Sequence, residues 1–274
     1  MSDLLSKRKI RDEQNRIQHI TPKSAGWTYI GFEVVQLTTG QAQSFEAAEG
    51  QEVCIVLVSG KAKATLAGES LGEIGERMSP FDKIKPYAVY VSTGEACSFE
   101  AQSDLELAIC RAPSKRTYPS RLISPNDIDA EHRGNGRNQR FVHNILPDDK
   151  PADSLLVVEV YTEEGCTSSY PSHKHDQDNP PNETLLEETY YHRLNPEQGF
   201  CFQRVYTDDR TLDESMAVYD RDVVQVPKGY HPVATVAGYD SYYLNVMAGP
   251  VRQWLFTWEK DHQWVNTDEY KKMD

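Results

Sequence analysis

Short runs of mostly apolar positions, separated by polar turn residues, recur along most of this chain. The runs Trp27–Val35, Val53–Val58, Ala88–Val91, Leu105–Cys110, Leu155–Tyr161, Glu188–His192, Phe200–Tyr206, Asp222–Val226 and Tyr242–Met247 are rich in β-branched and aromatic residues, which suit a pleated, half-buried surface. Gly, Pro, Asp or Asn bound most of them, as turns require. Helical periodicity is weak throughout; the first twenty residues and the stretch Asp213–Ala217 are the better helix candidates. Many short strands separated by turns predict an all-β body built from sandwiches or barrels.

The order of runs repeats. Residues 27–112 lead through a turn at Ser59-Gly60 to AVYVSTGEA (Ala88–Ala96), and residues 153–258 lead to VVQVPKGYH (Val223–His231). Aligned on glycine, Gly94 matches Gly229, and Ala96 falls where the second half has His231. The division this predicts is a first barrel over 1–118, a linker and packing segment over 119–152, and a second barrel over 153–274. Only the second copy carries a polar site.

Length and charge narrow the function. A chain of 274 residues accommodates two domains of ordinary size. The formal net charge of -13 opposes nucleic-acid binding and docking on an anionic membrane, but a few basic groups in a pocket can still receive a small anion. The charged opening MSDLLSKRKIRDEQNRIQHI is no signal peptide, and no apolar stretch is long enough to span a bilayer. Cys54, Cys97, Cys110, Cys166 and Cys201 are scattered without a CxxC pair, the pattern of reduced thiols in a cytoplasmic protein.

The chemistry concentrates in Tyr170–Arg193, YPSHKHDQDNPPNETLLEETYYHR. On a strand, His173 and His175 leave the same face, and Lys174 the opposite one. A carboxylate follows at Glu187 or Glu188, and His231 comes after the turn VVQVPKG. Three imidazoles and one carboxylate suit a single divalent ion such as Zn, Mn, Fe, Co or Ni, and leave positions open for substrate. The segment RGNGRN (Arg133–Asn138) lacks the strand–loop–helix context of an anion-binding loop and reads as a turn.

An HxH pair, a Glu on the next strand and a PxG-type turn followed by His resemble the metal site of the cupins. The longer runs SSYPSHKHDQDN, LEETYYHR, GFCFQRVYTDDRTLDE, DVVQVPKGYHP and YYLNVMAGP are similar to the 5-deoxy-glucuronate isomerase family. In the first half, Trp27–Phe32, GEIGERMSPF (Gly72–Phe81), PYAVYV (Pro86–Val91) and Phe141–Thr162 agree as well. The resemblance covers nearly the whole chain and extends to the 5-keto-4-deoxyuronate isomerases. It implies a bicupin, two tandem double-stranded β-helix (jelly-roll) barrels with few short helices. Carried over by residue, the metal ligands are His173, His175, His231 and Glu188, the glutamate that keeps the spacing to Tyr190-Tyr191 and Asn195-Pro196. Two departures stand: the gap from His175 to Glu188 is longer than usual, and the PxG turn is one residue shorter before its His.

The activity so implied is an aldose–ketose isomerisation of 5-deoxy-glucuronate to 5-dehydro-2-deoxy-gluconate in inositol degradation. It would proceed by metal-assisted enediolate proton transfer, with a hydride shift as the mechanistic rival. The proton-transfer candidates are Glu187, Tyr190 and His192. For the substrate carboxylate the candidates are Arg204 and Lys228, for its hydroxyls Gln203; Tyr243 and Asn245 alternate together on a late strand and would line the pocket. Another cupin enzyme on a sugar acid, such as a uronate isomerase or an iron dioxygenase, and a non-catalytic sugar-binding cupin are the competing readings. A homo-oligomer is expected.

Overall fold

The runs buried on both faces decide the architecture. In Gln51–Ser59 every residue from Glu52 to Val58 is buried, so this strand must be covered on both sides. Val53, Ile55 and Leu57 face one apolar cluster, whereas Cys54, Val56 and Val58 face another. The alternation of side chains along a strand thus feeds two cores at once.

In the computed structural model, which describes residues 2–267 and 270, these cores separate four sheet layers. The first barrel pairs a six-stranded sheet, in the order Arg121–Ile123, Ala88–Val91, Gln51–Ser59, Leu105–Pro113, Gly31–Leu37, Arg16–Ile20, with a four-stranded one, Ala42–Glu46, Ala96–Ala101, Ala62–Leu66, Glu69–Ile74. The second barrel's seven-stranded sheet runs Leu5–Ser6, Val223–Val226, Glu187–Asn195, Asp240–Ala248, Leu156–Thr162, Arg140–Leu146, Asp129–Arg133. Its facing sheet is Thr167–Ser168, Val233–Thr235, Phe200–Tyr206, Asp213–Tyr219. This is the all-β bicupin expected, with one α-helix among the described residues, Pro22–Ala25. No described helix is long and apolar enough to cross a membrane.

The two large sheets pack back to back through Phe32, Val34, Cys54, Val56, Ala108 and Cys110 on one side and Tyr161, Tyr191, Tyr242, Leu244 and Val246 on the other. Burying each such side chain contributes roughly 1.5–3 kcal/mol. Two carboxylates sit in or beside this layer. Glu159 is held by Arg77 through two 2.8 Å hydrogen bonds and by His143 at 2.7 Å. Glu106 accepts from Arg193 at 2.7 Å and Arg221 at 2.9 Å. Burial alone would raise both pKa values, but the adjacent guanidiniums pull each down to about 2. All five cysteines are free and buried.

Two expectations change. Residues 2–20 are not helical: Arg16–Ile20 is a strand on Gly31–Leu37, and Leu5–Ser6 pairs with Val223–Val226 of the other barrel. Asp213–Ala217 also lies in a strand, because every second side chain meets the barrel interior and Asp213–Tyr219 pairs fully with Phe200–Tyr206. Residues 119–152, expected as a linker and packing segment, contribute Arg121–Ile123 to the first barrel's sheet and two strands to the second's. Each unit's leading segment therefore extends the sheet of the other.

Candidate metal centre and substrate pocket

Local backbone geometry aims three imidazoles at one point. His173 lies on the two-residue strand His173–Lys174, paired with Thr257–Trp258. His175 follows it, and its Nδ1 lies 3.0 Å from the Leu186 carbonyl. His231 follows Gly229, whose φ of +90 and close approach to the Tyr206 carbonyl only glycine tolerates. The Nδ1 of His231 lies 2.8 Å from the Gly229 carbonyl. With Nδ1 committed to backbone, Nε2 of both His175 and His231 turns inward, the arrangement that fixes a ligand's tautomer.

The ligand atoms of buried His173, His175 and His231 all lie within 4.8 Å of one another. Glu188 closes the group, with Oε2 3.1 Å from His175 Nε2 and 3.2 Å from His231 Nε2. The second approach is not aligned as a hydrogen bond, and His231 Nε2 is a buried nitrogen without a partner. Asn245 donates to the other carboxylate oxygen at 2.6 Å and sets its orientation. An orphaned inward nitrogen beside a braced carboxylate fits a cation.

The protonation tendencies agree. Burial pushes His231 down to about 4, and burial with the neighbouring imidazoles pushes His173 well down, so both are neutral donors near pH 7. Burial would lower His175 too, but its contact with Glu188 outweighs this and raises it.

The pocket over this cluster is lined by His173, Glu188, Tyr190, Tyr243, Asn245, Ser169, Val142, Val158, Val160, Trp254, Phe256, Trp258, Arg133 and Arg140. Ser169 Oγ links the hydroxyls of Tyr190, at 3.0 Å, and Tyr243, at 3.2 Å. Three of the residues expected around the metal, Tyr190, Tyr243 and Asn245, therefore meet here.

Others do not. Glu187 faces away, because its neighbour Glu188 takes the inward side of the strand; its carboxylate accepts the backbone N–H groups of Thr28, Tyr29 and Ile30. His192 points into the second barrel below Tyr190 but is sealed there. Its Nε2 bonds Gln203 at 2.8 Å, its Nδ1 lies 3.5 Å from Cys201 Sγ, and burial lowers its pKa to about 4. Gln203 spends its amide on the His231 carbonyl at 3.3 Å, so it braces a ligand instead of reaching substrate. Arg204 lies outside the pocket, paired with Asp213 at 2.7 Å and stacked on Tyr206, and Lys228 is exposed. Lys174, on the reverse face as expected, is buried among Asp176 and Glu183.

Sequence reasoning missed the two pocket arginines. Their signal was RGNGRN with the arginine two residues beyond it: this segment forms the hairpin loop between Asp129–Arg133 and Arg140–Leu146. Burial pushes the Arg140 pKa down, and the charge of Arg133 adds to that.

Comparisons with known proteins agree with this geometry. The chain is 57% identical to the 5-deoxy-glucuronate isomerase of Geobacillus thermodenitrificans, over 93% of this chain and 92% of that one. It is 49% identical to the 5-deoxy-glucuronate isomerase of Bacillus subtilis strain 168, over 97% and 99%. An IolB-like protein from Salmonella typhimurium LT2 superposes with a TM-score of 0.94 at 59% identity, covering 97% of this chain and 100% of that one. Oxalate decarboxylase OxdC of Bacillus subtilis, at a TM-score of 0.64 and 13% identity over 94% and 80%, shares the fold alone. The profile of the KduI/IolB family matches residues 4–265, and the chain belongs to that family.

Proposed function

We propose that this chain isomerises 5-deoxy-glucuronate to 5-dehydro-2-deoxy-gluconate, an aldose–ketose interconversion in inositol breakdown, with one divalent cation held by His173, His175, His231 and Glu188. The observation that carries the reading is near full-length identity of 57% to a 5-deoxy-glucuronate isomerase, joined to a complete donor set in the second barrel.

A bound divalent ion supplies Lewis acidity to a sugar's adjacent carbonyl and hydroxyl oxygens. The chain's own residues do the rest. Asn245 holds the Glu188 carboxylate in one orientation, and the Leu186 and Gly229 carbonyls hold two imidazoles in theirs. Trp254, Phe256 and Trp258 wall the pocket and exclude water from the reacting carbons. The isomerisation moves one proton between neighbouring carbons and one between their oxygens; burial beside Glu188 keeps the Tyr190 hydroxyl protonated, so this group, held by Ser169 at the pocket wall, is placed to give its proton to a substrate oxygen.

The test is elemental analysis of the purified protein with an isomerisation assay before and after chelation. About one divalent ion per chain, with activity lost on chelation and restored by metal, is the expected result. A metal-free protein that isomerises normally would remove the cation from the proposal. A metal-bound protein inactive on 5-deoxy-glucuronate would overturn the substrate.

A further inference from the structure

Arg133 and Arg140 stand directly opposite each other in the hairpin register, and both line the pocket above the imidazole cluster. Like charges directly opposed across two strands destabilise the pair. Arg133 is relieved of this: its guanidinium pairs with Glu131 at 2.9 Å and lies 5.5 Å from the Trp254 ring centroid. Arg140 has no such relief. Its one hydrogen bond is to the Asn138 carbonyl at 3.0 Å, and among the described residues no carboxylate lies within the 4.0 Å of an ion pair. A guanidinium has five donors, so most of this one's capacity is unused.

The loop is shaped around that side chain. Gly134 has a φ of +80, and a Cβ there would sit 1.9 Å from the Asn138 carbonyl and 2.7 Å from Arg140 Nη1. Glycine is thus what lets the hairpin fold close upon the guanidinium. A half-buried, unpaired cation, held against a like charge at one end of a pocket, is poorly placed for stability and well placed for an anion.

We propose that Arg140 binds the carboxylate of the sugar acid. The acid end of the substrate then sits under the hairpin loop, while its other end reaches His173, His175, His231 and Glu188. Arg133, already paired with Glu131, does not take the carboxylate. The identity of the sugar acid rests on the proposed function above; the carboxylate contact rests on the pocket geometry.

The test compares Arg140→Met and Arg140→Lys with the unaltered protein. Two probes serve for direct binding: D-gluconate, a sugar acid, and D-sorbitol, its neutral counterpart. The unaltered protein binds gluconate more tightly than sorbitol, and Arg140→Met weakens gluconate roughly 10- to 100-fold, the loss of a charged hydrogen-bonded contact, while leaving sorbitol unchanged. The KM for 5-deoxy-glucuronate rises by a similar factor. Arg140→Lys falls between the two, since an ammonium keeps the charge and loses the planar fork.

The melting temperature of Arg140→Met is expected to hold or rise, because an uncompensated charge has gone. A lower melting temperature with unchanged KM and gluconate affinity would make Arg140 structural and overturn the inference. Equal affinity of the unaltered protein for gluconate and sorbitol would overturn it as well. Isomerase activity that survives with normal gluconate binding in Arg140→Met leaves the function standing and removes the residue. Gluconate binding that depends on Arg140 in a protein unable to isomerise 5-deoxy-glucuronate upholds the residue and removes the function.

Discussion

The two barrels place their central strands in the same way and fill them with opposite chemistry. Glu52, second in Gln51–Ser59, takes the place of Glu187, first in Glu187–Asn195. Counting on from each, Val53, Ile55 and Leu57 correspond to Glu188, Tyr190 and His192. The pairing partners match too. Ile55 lies opposite Ile109 and Leu57 opposite Leu107, where Tyr190 lies opposite Asn245 and His192 opposite Tyr243. The first set belongs to a wholly apolar core; the second lines or underlies the pocket. One architecture thus serves as a packed support in one copy and as the frame of a polar pocket in the other, and inward-facing side chains make the difference.

What the copies share is equally instructive. The Glu52 carboxylate accepts the backbone N–H groups of Asp153, Ser154 and Leu155, the approach to the second barrel's Leu156–Thr162. Glu187 accepts those of Thr28, Tyr29 and Ile30, the approach to the first barrel's Gly31–Leu37. Each barrel clasps the entry of the other. Unpaired buried N–H groups are costly, so a carboxylate that satisfies three of them is a strong constraint on how the barrels dock.

The largest expected effect separates the barrels by chemistry. His231→Ala should abolish retention of a divalent ion and lower kcat by on the order of 10³-fold or more, the scale of a metal's contribution to catalysis. Ala96, its counterpart by sequence, is exposed at a strand start, so Ala96→Ser should leave metal content and kcat as they were. Metal analysis and initial rates on the two variants decide the matter; full activity in His231→Ala would dissolve the distinction between the copies.

Next comes Tyr190→Phe, expected to lower kcat about 100-fold while metal content stays constant, since positioned proton transfer contributes roughly 10²–10⁴-fold. Its counterpart Ile55→Val should cost only about 1 kcal/mol of stability. A Tyr190→Phe protein with unchanged kcat would hand proton transfer to another group.

The last effect, on stability alone, tests the symmetry. Glu52→Ala and Glu187→Ala should each destabilise by about 3 kcal/mol, because each strands several buried donors. Denaturant unfolding of the pair measures this, and a loss at only one position would show that the clasps are unequal.

Several of these features were legible in the chain. The strand runs, the duplication and the group His173, His175 and His231 followed from β-branched and aromatic runs bounded by turn residues and from the spacing of ligating side chains, both local properties. The edge and outer strands were harder to see, because polar runs such as Ala42–Glu46 bury only alternate positions and resemble loops. The position of Glu187 against Glu188 needed the actual phase of the strand, which the loop from Asp176 to Leu186 conceals.

Arg204 and Arg140 mark the boundary between the two kinds of knowledge. Both are charged residues in strands of the second barrel, and nothing in their immediate neighbours says which one faces the pocket. Arg204 found Asp213 across its own hairpin and stayed at the surface, whereas Arg140 was brought to the pocket beside the imidazole cluster by a glycine loop and by the sheet that its strand joined. By itself the sequence determined the all-β duplication and the chemistry available, since residue type and turn boundaries are written in order along the chain. Only the tertiary structure decided which cation meets the pocket and which carboxylate meets the imidazoles, because those contacts are between strands far apart in sequence, and a shift of one residue in register sends a side chain to the opposite face.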